Sequence, residues 1–143
     1  MSVLPSLRAF DPARDHADVV ALWTEVLGYG FAHNAPELSI RKKIEADDGL
    51  FFIAEIGGRL IGTVMAGYDG HRGWIYSLAV APAMRKRGIG RALLQHAETA
   101  LLARGCVKIN LQISNGNEAV IGFYEKTGYK VELRTSMGKL LLK

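Results

Sequence analysis

Cysteine is almost absent from this sequence: Cys106 is the only one among 143 residues, which excludes an intramolecular disulfide. No stretch approaches the roughly 20 consecutive apolar residues that a membrane-spanning helix needs. The N-terminus also lacks a basic segment followed by an apolar run, the pattern of a secretory signal. We therefore expect a cytoplasmic globular protein with no membrane partner, in which Cys106 is a packed thiol rather than a nucleophile.

A large excess of charge is also missing, because 18 Lys and Arg oppose 14 Asp and Glu for a formal net charge of +4. Such a surplus suits nucleic acid, an acidic protein or a phosphorylated small ligand. The sequence has neither the aromatic pattern of an RNA-recognition motif nor a recognisable helix-turn-helix, so we expect no nucleic-acid partner. The histidines share no metal-ligand spacing with one another or with Cys106, and we expect no metal.

Hydrophobic periodicity predicts an α/β chain without an interior linker. Helices are predicted at residues 16–27, 37–46, 117–126, and from Ile89 to an ending at Arg104-Gly105. Strands are predicted at residues 6–10, 50–56, 60–67, 74–81, 107–113, 129–134 and 137–142. Asp15 can cap the first helix, and Gly57-Gly58 permits a tight hairpin turn. The strand at 74–81 is apolar on both faces apart from Ser77, which is typical of a central strand.

The strongest motif is the turn between this central strand and the helix that begins at Ile89. Its glycines, Gly88 and Gly90, let an oxygen approach the backbone, and the first N–H groups of the helix have no internal partner. The turn also carries four cations: Arg85, Lys86, Arg87 and Arg91. A nucleotide-binding P-loop and a dinucleotide fingerprint are excluded, since the first needs Gly-Lys-Ser/Thr and the second a Gly where Leu93 stands. The turn therefore predicts a local anion site.

In this context Arg85-x-x-Gly88-x-Gly90, preceded by Leu78-Ala79-Val80-Ala81-Pro82, resembles the acetyl-CoA-binding motif of GNAT acetyltransferases. The resemblance implies a single GNAT domain over residues 1–143, with a mixed central sheet of about six to seven strands and about four flanking helices. It implies acetyl-CoA as cosubstrate, with its pyrophosphate on the backbone of residues 87–91 and its pantetheine on main-chain groups of Leu78 and Val80. The implied cofactor-binding residues are Leu78, Ala79, Val80, Arg85, Lys86, Arg87, Gly88, Ile89, Gly90, Arg91, Asn117 and Tyr124.

A second set of residues strengthens the resemblance. Asn117-Glu118-Ala119, Phe123-Tyr124 and Gly128-Tyr129 are similar to the C-terminal CoA motif of the family. The resemblance gives Tyr124 the role of protonating the departing thiolate, and it makes the backbone N–H near Val80 the donor to the carbonyl oxygen. The runs Gly67–Gly73 and Arg104–Cys106 are similar to the small bacterial YpeA-type branch.

The general base is the least defined residue. The central-strand side chains expected to face the cleft are Trp74 and Tyr76, neither of which is a competent base at neutral pH. Glu55, Asp69, His71 or a water chain are the alternatives, and we take Glu55 and His71 as catalytic candidates. The sequence predicts an N-acetyltransferase whose acceptor is an amine on a small molecule or a protein. A CoA-binding module with little catalysis is the alternative, and whether the chain forms a homodimer is left open.

Overall fold

The computed structural model describes residues 4–28 and 35–141. The chain divides into two compact units, Met1–Gln112 and Ile113–Lys143. The first unit contains the elements β1 (Ser6–Ala9), α1 (Pro12–Val26), α2 (Pro36–Ala46), β2 (Phe51–Ile56), β3 (Arg59–Tyr68), β4 (Gly73–Val80), α3 (Ile89–Ala103) and β5 (Ile109–Asn110). The second contains a 3₁₀ turn (Glu118–Val120) and α4 (Ile121–Lys126). Among the helices of these segments, none combines the length and apolar character that crossing a bilayer requires.

One mixed sheet in the order β1-β2-β3-β4-β5 organises the first unit. The first four strands are antiparallel to their neighbours, and β5 is parallel to β4. The left-handed Gly57 and Gly58 close the β2–β3 hairpin, as predicted from the sequence. The α/β class, the mixed sheet and the four helices are confirmed.

Helices cover both faces of the sheet. On one face, Trp23 of α1 and Ile40 of α2 pack with Phe51 and Ile53 of β2 in a buried cluster. On the other face, α3 buries its apolar stripe, which consists of Ile89, Leu93, Leu94, Ala97 and Leu101. A Cβ added at Gly62 of β3 would lie 2.9 Å from Leu93 Cδ1 and 3.1 Å from the carbonyl oxygen of Ala79. Glycine at this position therefore permits α3 to lie close to the sheet.

The start of α1 corrects one prediction. Asp11, rather than Asp15, is the N-cap: its side chain accepts a hydrogen bond from the backbone N–H of Ala13 at 3.1 Å, and the helix begins at Pro12. Asp15 is buried and accepts two hydrogen bonds from Arg8, at 2.6 and 2.8 Å. Because the apolar periodicity starts after Asp15, the sequence predicts a helix from residue 16, whereas α1 begins four residues earlier at Pro12.

The sheet has five strands in the described residues, fewer than the six to seven predicted. Residues 129–141 contain no strand, and their large apolar side chains are exposed, with Leu133 at 94% and Met137 at 91%. The strand predicted at 107–113 is reduced to Ile109–Asn110, which pairs only with Gly73 and Trp74. Alternating side chains give a segment the propensity for a strand, but a strand exists only where a neighbour supplies its hydrogen bonds.

Candidate functional site

The turn between β4 and α3 has the backbone of an anion site. The helix begins at Ile89 as predicted, and its N-cap is Gly88, whose φ is +79° and which provides no capping side chain. Lys86 is also left-handed, with a φ of +64°. A Cβ added at Gly88 would meet no protein atom within 4 Å, so open space lies above the free N–H groups of the first helical turn. Free N–H groups beside open space are the backbone arrangement that an anion needs.

The cations of the turn are available to an external anion. Arg85, Lys86, Arg87 and Arg91 are exposed, and none of them takes part in an ion pair with another residue of the described segments. The positive end of the α3 dipole has the same sign as these side chains. Backbone geometry and charge therefore favour the same kind of ligand at this turn.

A β-bulge lies in β4 just before the turn, and sequence reasoning did not find it. Thr63 pairs with Ala79 and Met65 pairs with Tyr76, so the single residue Val64 is opposed by two residues of β4, Ser77 and Leu78. Ser77 has a φ of +53°, a conformation that serine rarely adopts. Bulges of this type re-aim backbone and side chains and are frequent beside active sites.

A buried chain of hydrogen bonds fixes the bulge. The indole Nε1 of Trp23 donates to Oγ1 of Thr63 at 2.8 Å, and Oγ1 of Thr63 donates to the carbonyl oxygen of Ser77 at 2.9 Å. Both Trp23 and Thr63 are buried. Helix α1 therefore holds the conformation of β4 through one side chain of β3.

Within the described segments, the edge of β4 that faces β5 is unpaired at the position of the bulge. β5 pairs only with Gly73 and Trp74, at the beginning of β4. From Ile75 to Val80, no strand of the described residues lies on that side of β4. An extended ligand can hydrogen-bond to such an open strand edge as an added strand would.

An open depression of about 340 Å³ lies on the α2 side of the bulge. Its lining includes Tyr76 and Ser77 of β4 and Lys42 and Lys43 of α2. Lys43 is buried, although sequence reasoning did not single it out. The spacing of Pro36, Ile40 and Lys43, the buried residues of α2, could have revealed a lysine on the apolar face.

The two candidate bases lie at opposite ends of β3. Glu55 pairs with Leu60 near the start of β3 and forms ion pairs with Arg8 at 3.1 Å and Arg14 at 3.5 Å. Leu60 is four residues from Val64, which is about 13 Å along the strand from the bulge. His71 is exposed and precedes Gly73, which is also four residues, or about 13 Å, from Ser77. Direct contact with a group at the bulge is beyond the reach of either side chain, and their roles stay predictions.

His71 belongs to a turn organised by Asp69. The Oδ1 atom of Asp69 accepts hydrogen bonds from the backbone N–H groups of His71 and Arg72, both at 2.7 Å, and Oδ2 accepts from the Trp74 indole at 3.4 Å. The backbone donors of Arg72 and His71 hold the pKa of the Asp69 carboxyl below its ordinary value. An acid with a lowered pKa is a weak base, which makes Asp69 the poorer of the two candidates in this turn.

The second unit contains Asn117 and Tyr124. Asn117 precedes the 3₁₀ turn, and its carbonyl oxygen accepts from the N–H of Val120 at 3.2 Å. The ring of Tyr124 packs edge-to-face against Phe123 and Tyr129, with centroid distances of 5.0 and 5.7 Å. Burial raises the pKa of the Tyr124 phenol above its ordinary value, so the phenol keeps its proton at neutral pH. The predicted role of Tyr124 toward a thiolate stays a prediction.

Comparison with known proteins gives one family match and several relatives. The profile of the acetyltransferase (GNAT) family matches residues 16–129. The chain is 42% identical over 136 residues to Acetyltransferase YE1169 of Yersinia enterocolitica, and the match covers 95% of each chain.

Two solved structures share the fold. The PaiA N-acetyltransferase of Thermoplasma acidophilum, in complex with coenzyme A, gives a TM-score of 0.78 at 20% identity and covers 94% of each chain. The glucosamine-6-phosphate N-acetyltransferase of Arabidopsis thaliana gives 0.71 at 19% identity, covering 97% of this chain and 99% of that one. At such identities these two structures support the fold alone.

Proposed function

The chain belongs to the GNAT family of acetyltransferases, and from this premise we propose that it transfers the acetyl group of acetyl-CoA to a primary amine on a small molecule or a protein. Membership makes the chain an acetyl-CoA-dependent N-acetyltransferase. The acceptor and the residues that act on it are proposals. The observation that supports these proposals is the succession of two elements. Strand β4 has a bulge and an open edge, and the next α-helix, α3, begins after the N-cap Gly88.

The proposed donor site runs along β4 and into α3. The backbone N–H groups of residues 87–91 bind the pyrophosphate, and the space above Gly88 supports this assignment. Arg85, Lys86, Arg87 and Arg91 add attraction for the phosphates. The main chain of Leu78 and Val80, on the open edge after the bulge, binds the pantetheine as an added strand. Ala79, which pairs with Thr63 of β3, is assigned to CoA by resemblance. Asn117 is assigned to CoA by resemblance alone.

Acetyl transfer to an amine needs a hydrogen-bond donor for the carbonyl oxygen, a proton for the departing sulfur and an acceptor for the amine proton. Bound acetyl-CoA supplies an activated thioester, whose acyl carbon is attacked by the neutral amine as the carbon–sulfur bond breaks. The backbone N–H near Val80 donates a hydrogen bond to the carbonyl oxygen as negative charge develops there. Tyr124 gives its phenolic proton to the departing sulfur. Burial raises the pKa of this phenol, which keeps it protonated until the thiolate forms, although it also makes the phenol a weaker acid.

The amine nitrogen must also lose a proton. Glu55 and His71 are the proposed acceptors of that proton, and their distance from the bulge requires an intervening chain of water. An amine that arrives as ammonium must give up one proton before it attacks, and the nitrogen of either form gives up a proton as the amide forms. The finer assignment to the YpeA-type branch rests on the runs Gly67–Gly73 and Arg104–Cys106. A cytoplasmic location and the state of oligomerisation stay predictions.

A thiol-release assay tests the proposed function. Acetyl-CoA is offered with pools of amino acids, polyamines, simple amines and peptides, and free CoA is measured over time together with the acetylated product. We expect amine-dependent release above the rate of hydrolysis in at least one pool. Tight CoA binding in calorimetry, without release in any pool, would instead support a binding module with little catalysis.

A further inference from the structure

An ion pair between the buried Lys43 and the partly exposed Asp48 lies beside the depression, and the proposed acetyl transfer does not use it. Nζ of Lys43 donates to Oδ2 of Asp48 at 2.8 Å, to the hydroxyl oxygen of Tyr76 at 2.9 Å and to the carbonyl oxygen of Ala66. The Lys43 side chain is 6% exposed. The same ammonium lies 5.3 Å from the centre of the Tyr76 ring. Lys43 therefore fixes the position of Tyr76 through its hydroxyl group and its ring.

This arrangement decides the direction of the hydroxyl proton of Tyr76. An ammonium group has three donors and no acceptor, and all three donors of Lys43 have partners. The phenolic oxygen must accept from Lys43 and cannot donate to it. Tyr76 is 42% exposed and lines the depression, so its own O–H is left to donate into the open space.

The carboxylate of Asp48, which is 29% exposed, already accepts one hydrogen bond at each oxygen. Oδ2 of Asp48 accepts from Lys43, and Oδ1 accepts from the backbone N–H of Leu50 at 3.0 Å. Lys42 adds a second ammonium that is 65% exposed and forms a surface ion pair with Glu45 at 3.5 Å. The donors that the depression offers to a ligand are the O–H of Tyr76 and the exposed ammonium of Lys42, whose pairing with Glu45 is a solvent-exposed one. Such a lining recognises a carboxylate.

We propose that this depression binds the acceptor and that Tyr76 positions it, donating its hydroxyl proton to a carboxylate that the acceptor carries besides its amine. The inference rests on the proposed function and narrows the acceptor class to amino acids. Ser77 lines the depression and is followed by Leu78, so a ligand held by Tyr76 lies beside the strand segment assigned to the thioester. The volume of about 340 Å³ suits a small molecule.

Three matched acceptor pools test the proposal: amino acids, the amides of the same amino acids, and the amines that decarboxylation would give. We expect the highest kcat/KM for the carboxylate pool, a lower value for the amides, and the lowest for the simple amines. Equal use of the three pools, or a preference for the amines, would overturn the proposal.

Tyr76→Phe removes the hydroxyl and keeps the ring. We expect KM for the preferred amino acid to rise by about 10- to 100-fold, as for the loss of a hydrogen bond to a charged group. KM for acetyl-CoA and kcat/KM for the simple amines should stay as in the wild type. Lys43→Met should cause the same selective loss if it folds. A Tyr76→Phe variant that loses activity equally on all three pools would contradict a role in positioning the carboxylate.

Binding distinguishes a failure of this inference from a failure of the proposed function. The amino-acid pool is titrated calorimetrically into the CoA-loaded protein, wild type and Tyr76→Phe. If no pool releases thiol, the proposed function fails, whereas binding that the variant weakens still supports the carboxylate site. Absence of binding to the CoA-loaded wild type, or equal binding to both proteins, overturns the site.

Discussion

At the scale of single residues, Gly88 connects backbone conformation to the donor site. Gly88 and Gly105 flank the same helix, have similar φ values of +79° and +87°, and both have open space where a Cβ would lie. Alanine at either position costs about 1–2 kcal/mol of backbone strain. Only at Gly88 would the added methyl group also occupy the space assigned to a phosphate.

Gly88→Ala should therefore weaken CoA binding by about tenfold or more, whereas Gly105→Ala should leave the Kd unchanged. Both variants should lose similar stability, which thermal melts without ligand will show. The measurement is calorimetric titration with CoA. Equal Kd values for the two variants would exclude the assignment of the pyrophosphate to this turn.

The phenol of Tyr124 is the group proposed to protonate the departing sulfur. Because burial raises the pKa of its phenol, the proton donor persists to a pH above its ordinary value of about 10. Tyr124→Phe keeps the ring packed against Phe123 and Tyr129 but removes the donor, so kcat should fall by about 10²–10⁴ while CoA affinity persists. Tyr129→Phe is the matched control and should retain turnover. Full turnover by Tyr124→Phe on a confirmed acceptor would show that another group protonates the sulfur.

At the scale of elements, Asp15 joins α1 to the edge of the sheet. Hydrogen bonds from Arg8 hold the pKa of Asp15 below its ordinary value, and the backbone N–H of Asp11 adds to the effect. A group with a lowered folded-state pKa stabilises the fold above its unfolded pKa, about 3.9, and this contribution is lost as the pH falls through the folded value.

Asp15→Asn should lower the free energy of unfolding at pH 7 by about 1.5–3 kcal/mol, the range for a hydrogen bond to a charged group. The difference between wild type and variant should shrink as the pH falls below about 4, because the unfolded wild-type chain then binds a proton at Asp15 that the folded carboxyl does not yet bind. Asp18→Asn, on the exposed face of the same helix, should have little effect. Denaturant titrations at several pH values measure this, and a difference that stays constant down to pH 2 would contradict the linkage.

At the scale of the whole molecule, the positions of the cations say more about ligand binding than the small positive net charge does. The triple variant Arg85→Ala, Arg87→Ala, Arg91→Ala should weaken CoA binding and make it less sensitive to salt, because fewer exposed charges attract the phosphates. A control that removes three exposed cations elsewhere, Arg41, Arg104 and Lys139, lowers the net charge equally. If both triple variants change the Kd and its salt dependence to the same extent, net charge rather than the turn attracts the ligand.

The sequence by itself determined those features whose causes are local. Gly57 and Gly58 permit the left-handed turn of the β2–β3 hairpin, and Gly88 begins α3 where the apolar periodicity also begins. The helix start and the glycine turn of the proposed donor site were predictable for the same reason. They follow from neighbours along the chain, and the family resemblance rests on the same residues.

Only the tertiary structure decided where β4 bulges and which groups surround the depression. The bulge at Ser77 depends on Thr63 and Trp23, which are 14 and 54 residues away in sequence, and Lys43 contacts Tyr76 across 33 residues. Likewise, residues 129–134 alternate as a strand would, yet no strand is found there. Periodicity specifies which side chains share a face, but hydrogen-bond partners that are distant in sequence are specified by the packing of whole elements.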